Sequence, residues 1–188
     1  MLTLAALLLA VPAAPAPAPE RPILDAFRTA CERTGDLDAM NADAAASGWK
    51  AIAEDADPRI AKITRLGRDA VEKDGKISGV TYRRTISGRE IFLITSRYED
   101  KSGFWGVGCR LYDFDASAPI ATATLESWMG KAPTGVDAPA PGLHRRLWEP
   151  GWRNGMTFEA SYVPAGHEIG TRFGVQGNVL ISQAIGGF

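Results

Sequence analysis

The sequence predicts a single α+β domain in which helices pack on one face of an antiparallel sheet. Apolar residues follow helical spacing in the first third of the chain, whereas later segments alternate apolar and polar residues between short turns. The βαβ alternation and the glycine-rich phosphate loop of a nucleotide-binding fold are missing. This order of helices, strand meander, helix and further strands is typical of the α+β class. The 188 residues, of which 45% are hydrophobic, suit one domain with its own core.

The N-terminal segment has the pattern of a secretory signal peptide. Residues 2–11 form an uncharged apolar run that is too short to cross a bilayer, and small residues follow it. We predict residues 1–13 as the signal peptide, although it lacks a basic start, and residues 14–21 as an extended Ala/Pro-rich leader. The alternative is a buried apolar N-terminal helix. Residues 22–188 then form the α+β domain, located in the periplasm or secreted, without a transmembrane segment.

Three helices are predicted before the first long strand. The first covers residues 22–34, with Pro22 at its start and a glycine after its end. The second covers residues 36–47. Segment 57–75 is ambiguous, but Asp57 followed by proline resembles a helix start, and we favour a helix. Gly67 inside that helix costs about 1 kcal/mol relative to alanine.

The middle and last parts of the chain are predicted to form strands around one further helix. A serine–glycine turn joins the first two strands into a hairpin. Gly106 and Gly108 have no side chains, so they leave free space along the third strand. We interpret this space as room for a helix packed over Cys109. The predicted strands cover residues 79–86, 89–98 and 104–115 and parts of 143–149, 156–163 and 171–185; the helix covers 117–130, and a Pro/Gly-rich loop covers 131–142.

The two cysteines of the chain are predicted to form a disulfide. Cys31 lies on the apolar stripe of the first helix, and Cys109 lies on the apolar side of a strand, so both thiols point into the core. An exported protein meets an oxidising compartment, in which such thiols pair. The alternative is two unconnected buried thiols.

Several segments of the chain resemble small exported proteobacterial proteins of unknown function. These segments are FRTACERTGD (27–36), ASGW (46–49), TYRRTISGREIFL (81–93) and GVGCRLYDFD (106–115). The resemblance covers roughly residues 22–130. It implies export and a disulfide between the two cysteines, and it implies no activity.

Charge and motif content exclude several classes of function. The formal net charge of −1 gives no field that would attract nucleic acid. The sequence predicts no cofactor and no metal site, because the two cysteines and two histidines are not spaced as ligands. The titratable residues that an enzyme would have to bring together from distant positions are His144, His167, Asp113 and Asp115.

The best candidate for a binding surface is a segment that combines arginine with tryptophan. These residue types dominate the binding energy of protein interfaces. The alternative is that Trp148 belongs to the core and the arginines face solvent. We therefore predict a non-catalytic binding module whose partner is an envelope component or a protein, and the alternative is an envelope hydrolase. The candidate surface consists of Arg145, Arg146, Trp148, Trp152 and Arg153.

Overall fold

The computed structural model describes residues 19–71 and 73–187. The predicted signal peptide and residues 14–18 of the predicted leader lie outside this part of the chain. The helices are α1 (Arg21–Cys31), α2 (Leu37–Ala46), α3 (Pro58–Val71), α4 (Thr122–Met129) and α5 (Glu168–Phe173). The strands are β1 (Lys50–Ile52), β2 (Gly75–Ile86), β3 (Arg89–Asp100), β4 (Trp105–Asp113), β5 (Gly135–Asp137), β6 (His144–Trp148), β7 (Thr157–Val163) and β8 (Gly177–Gly186).

The eight strands of the described residues form one antiparallel sheet, which confirms the predicted α+β class. Their order is β1-β2-β3-β4-β8-β7-β6-β5, so β4 and β8 lie at the centre and β1 and β5 at the edges. The predicted hairpin is confirmed as β2–β3. Its turn has φ values of 51° at Ser87 and 77° at Gly88, as a type I′ turn requires. Within the described residues, every helix is too short or too polar to cross a membrane.

The main core lies between the first face of the sheet and helices α1, α2 and α4. We define the first face as the one that carries Leu93, Cys109 and Leu180; side chains alternate along each strand, so the intervening residues define the second face. Helix α1 buries one whole stripe because its apolar residues recur every three to four positions. Its buried residues are Ile23, Leu24, Ala26, Phe27, Ala30 and Cys31.

The predicted disulfide is confirmed between Cys31, the last residue of α1, and Cys109 on β4. Their Cα atoms are 5.8 Å apart, and neither residue is exposed. Just after the bridge, the Thr34 hydroxyl lies 2.7 Å from the Ser182 hydroxyl and donates to the Cys31 carbonyl at 2.7 Å. The end of α1 is therefore fixed to both central strands.

Helix α3 packs on the second face of the sheet, so the helices cover both faces rather than one. It is anchored at its start by Ile60, which is fully buried against a small cluster. Lys62 Nζ on α3 donates to the Thr171 carbonyl of α5 at 2.7 Å. The other members of the small cluster are Phe92, Tyr112, Phe114 and Val179.

Some elements differ from the sequence prediction. Helix α4 begins at Thr122 rather than residue 117, because a residue that precedes a proline, here Pro119, is disfavoured in helical conformation. Three short elements were not predicted: strands β1 and β5, of three residues each, and helix α5, of six. A hydrophobic repeat cannot be recognised over so few positions. Helix α5 begins at a histidine cap, in which the Ile169 amide donates to His167 Nδ1 at 3.2 Å.

Replacing Asp57 with alanine is expected to lower the free energy of unfolding by about 1 kcal/mol. Asp57 Oδ1 accepts from the Arg59 amide at 2.8 Å and so caps α3. The hydrogen bond from the Arg59 side chain lowers the pKa of Asp57 in the folded protein. Its ionic stabilisation is therefore present above the unfolded-state pKa, about 3.9, and disappears as the pH falls through the lower folded-state pKa. Urea unfolding at pH 7 and in acid measures both effects.

The control for this prediction is Asp57→Asn. An asparagine keeps the oxygen that caps the helix but has no charge, so we expect it to retain most of the stability and to lose the part of the acid dependence that comes from Asp57. An alanine variant as stable as the natural protein at both pH values would contradict the assigned cap.

Candidate functional site

A groove of about 470 Å³ lies between α3 and the second face of the sheet. Strands β2, β3, β4 and β8 form its base, and α3 covers one side. The volume lies in the range typical of small-molecule sites. We call this cavity the α3 groove.

The base of the α3 groove is a row of four residues that contains no large apolar side chain. Gly79 pairs with Ser96, Ser96 with Gly108, and Gly108 with Gln183, so the row crosses four adjacent strands. All four residues belong to the second face. Two glycines and a serine leave the first three positions almost without side chain, and the sheet is therefore hollow where α3 passes over it. We call these residues the floor row.

Apolar side chains form the walls of the groove. Ile77 and Ile185 lie on one side of the floor row and Ile94 on the other, while Ile63 and Val71 of α3 face them. Ile185, close to the end of the central strand β8, is 52% exposed. The groove thus presents apolar surface that the described protein leaves uncovered.

Gly106 and Gly108 belong to this groove, and the predicted role for them was wrong. A helix packed over Cys109 does not use their space. Side chains alternate along a strand, so residues 106 and 108 face the side opposite Cys109. A Cβ atom on Gly108 would lie 2.7 Å from Nη1 of Arg110. The glycine therefore makes room for that guanidinium.

Arg110 is the polar centre of the groove. Its side chain is half-buried and bends over Gly108, and Nη1 donates to Ser96 Oγ at 3.1 Å. A guanidinium has five N–H donors, and among the described residues the other four find no acceptor. None of the described carboxylates forms an ion pair with Arg110.

Tyr112 is a second polar group of the groove. The ring is 4% exposed, and its hydroxyl has no hydrogen-bond partner in the described part of the chain. Burial raises the pKa of Tyr112, while the positive charge of Arg110 opposes that rise. The hydroxyl is therefore neutral at pH 7 and can donate a hydrogen bond.

The two tryptophans of the predicted binding surface do not form an exposed patch. Trp148 is fully buried on the first face, where its indole N–H donates to the Lys131 carbonyl at 3.1 Å. The ring centroid of half-buried Trp152 lies 5.6 Å from that of Phe158 in the main core. The prediction for Trp148 was wrong, because α4 and the loop before β5 cover this part of β6.

The three arginines of that predicted surface point to different places. Arg145 lies on the second face between Asp137, at 3.1 Å, and Glu159, at 2.8 Å. Arg146 lies on the first face and donates to Thr122 Oγ1 at 3.1 Å. Arg153 donates to the backbone carbonyl of Thr34. The structure therefore does not assemble the five predicted residues into one surface.

Of the four titratable residues that an enzyme would have to bring together, Asp113 and Asp115 interact with each other, whereas the two histidines lie on other elements. Asp113 is buried, with Oδ2 2.6 Å from Arg89 Nη1; burial raises its pKa and the arginine opposes the rise. Asp115 is exposed, His167 caps α5, and His144 lies on β6. None of the four lines the α3 groove. Within the described residues, no three His, Cys, Asp or Glu side chains gather as a metal site.

Comparisons with protein-family models, with curated proteins and with solved structures found no match to this chain.

Sequence reasoning missed the α3 groove because the floor row combines four strands whose pairing is not visible in the sequence. A partial signal exists on β4, where alternation places Gly106, Gly108, Arg110 and Tyr112 on the side opposite Cys109.

Proposed function

We propose that the protein is an exported, non-catalytic binding protein that holds a small ligand with an apolar part in the α3 groove. The floor row is the observation that carries this proposal. A sheet face covered by a helix is normally filled with interlocking side chains. Here three of the four floor residues have almost no side chain, and apolar walls remain partly exposed around the gap.

Rigidity of the base supports a role in binding. The floor row lies on four hydrogen-bonded strands rather than on loops, and Cys109, the neighbour of Gly108, is tied to α1 by the disulfide. A site on a rigid base loses little conformational freedom when it binds a ligand.

Chemistry of the groove favours binding over catalysis. Its polar groups include the Arg110 guanidinium, the Tyr112 phenol and the Ser96 hydroxyl. Ser96 Oγ accepts a hydrogen bond from Arg110, and among the described residues no histidine or carboxylate lies within hydrogen-bond distance to activate it. Such groups orient a ligand rather than attack it. Export, to the periplasm or beyond, is supported by the pattern of residues 1–13 and by the disulfide.

Filling the groove is expected to abolish binding of an apolar fluorescent probe. A Cβ on Gly106 would lie 3.6 Å from Ile185 Cγ2, an ordinary contact, so Gly106→Leu can place its side chain in the groove without backbone strain. We expect N-phenyl-1-naphthylamine to gain fluorescence with the natural protein. We expect at least about a tenfold weaker affinity for the variant, because the leucine occupies the apolar volume.

The matched control is Gly135→Leu on edge strand β5. A Cβ there would lie 3.5 Å from Leu147 Cβ, so this variant adds the same side chain to a strand far from the groove. It should bind the probe like the natural protein, and circular dichroism should show both variants folded. Unchanged binding by a folded Gly106→Leu variant, or no binding by the natural protein, would contradict the proposed site.

A further inference from the structure

We infer that the ligand is an anionic amphiphile, a linear alkyl chain that ends in a carboxylate, with the carboxylate on Arg110 and the chain in the floor row. This inference rests on the proposed function and names its ligand class.

The sign of the ligand's charge follows from the charges that line the groove. Arg68 of α3 and Glu54 pair with each other at its margin. Arg110 is the remaining charged side chain among the described lining residues, and it has no carboxylate partner there. A half-buried cation is poorly solvated and is stabilised by a counter-charge. A cationic ligand would be repelled, and a neutral one would leave the guanidinium unpaired.

The head group follows from the geometry around Arg110. Ser96 Oγ holds Nη1, so the guanidinium has a fixed position while its other N–H groups stay available. A carboxylate accepts two parallel N–H bonds from such a planar group. The unpartnered hydroxyl of Tyr112, two residues along the same face, can add a third donor.

The shape of the floor row indicates a linear chain. The Arg110 guanidinium lies over Gly108 on β4, and the row continues over Ser96 to Gly79 on β2. Two inter-strand spacings give this part a length of about 10 Å. Ile77 and Ile94 flank it, and Val71 of α3 lies above. A narrow trough with apolar walls and one charged end fits an extended alkyl chain with one charged head.

Isothermal titration calorimetry with decanoate and 1-decanol, on the whole protein, tests the inference. We expect decanoate to bind more tightly than decanol to the natural protein. In Arg110→Gln, decanoate affinity should fall roughly 10- to 100-fold because a charge-assisted hydrogen bond is lost. The affinity for decanol should stay unchanged. In the natural protein, each two methylenes added from hexanoate to decanoate should strengthen binding about tenfold, and longer chains should gain less because the trough is only about 10 Å long.

Arg83→Gln is the matched control for the arginine. Arg83 lies on the same face of β2, outside the groove, beside Glu90 at 3.6 Å. This variant should bind decanoate like the natural protein. The comparison of decanoate with decanol on the natural protein needs no variant and so does not depend on how well Arg110→Gln folds.

Some outcomes would contradict the carboxylate ligand alone, and others would contradict the proposed function as well. Equal affinity for decanoate and decanol, unchanged in Arg110→Gln, would overturn the carboxylate while leaving an apolar-ligand site. Binding of a lysophospholipid without binding of decanoate would also overturn it, because the head group would then be a phosphate. Failure of both decanoate and decanol, together with failure of the naphthylamine probe, would overturn the inference and the proposed function together.

Discussion

Removal of the Cys31–Cys109 bridge is expected to lower the free energy of unfolding by about 4 kcal/mol. The two cysteines are 78 positions apart, so the bond closes a long loop and strongly restricts the unfolded chain. It also joins the end of α1 to a central strand, so that the helix stays on the main core. Urea unfolding of the Cys31→Ala/Cys109→Ala variant measures the effect. Alanine suits these fully buried positions because it leaves no polar atom without a partner.

The slope of the unfolding free energy against urea concentration gives a second readout. Without the cross-link the unfolded chain is more open, so this slope should increase. Reduction of the natural protein before unfolding is the control and should reproduce both changes. A loss of less than about 1 kcal/mol, with an unchanged slope, would show that the bridge does not stabilise the fold.

Trp148→Ala is expected to destabilise the protein by about 4 kcal/mol. The side chain is fully buried, and its ring centroid lies 5.2 Å from that of Phe158. Truncation leaves a large cavity. It also removes the indole N–H group that donates a hydrogen bond to the Lys131 carbonyl. Urea unfolding followed by far-UV circular dichroism measures the loss.

Trp152→Ala is the comparison for that variant. Trp152 is half-buried at the margin of the main core, and Arg28 lies over its ring at 5.6 Å. Its removal should cost about 1 to 2 kcal/mol, less than the fully buried ring. If Trp152→Ala lowered the free energy of unfolding more than Trp148→Ala does, the assignment of Trp148 to the core and of Trp152 to its margin would be contradicted.

Features encoded in local patterns could be predicted from the sequence. The β2–β3 hairpin was visible because Ser87 and Gly88 separate two alternating strands, and α1 because its apolar residues recur at helical spacing. The disulfide was predictable because both cysteines lie on apolar faces, which face each other once the helix packs on the sheet.

Features that depend on which strands pair could not be predicted. Trp148 is buried because α4 and the loop before β5 cover β6, and neither contact is encoded near residue 148. The α3 groove depends on the register that aligns Gly79, Ser96, Gly108 and Gln183. A shift of one residue in any of these pairs would replace a small floor residue by a side chain of the other face. The position of α3 on the second face is likewise a tertiary contact, anchored by Ile60.

The most direct test of the ligand site is an NMR titration of the ¹⁵N-labelled 20.1 kDa protein with decanoate. We expect the largest chemical-shift changes at the amides of Gly79, Ser96 and Gly108 and at the Arg110 side chain. A second, charged cleft lies beside α1 and is lined by Asp25, Arg28, Glu32, Arg33 and Asp43. The chemical shifts of the Arg28 and Glu32 amides in that cleft should not change. Shifts concentrated at that cleft, or no saturable shifts at the floor row, would contradict the assignment of the α3 groove as the ligand site.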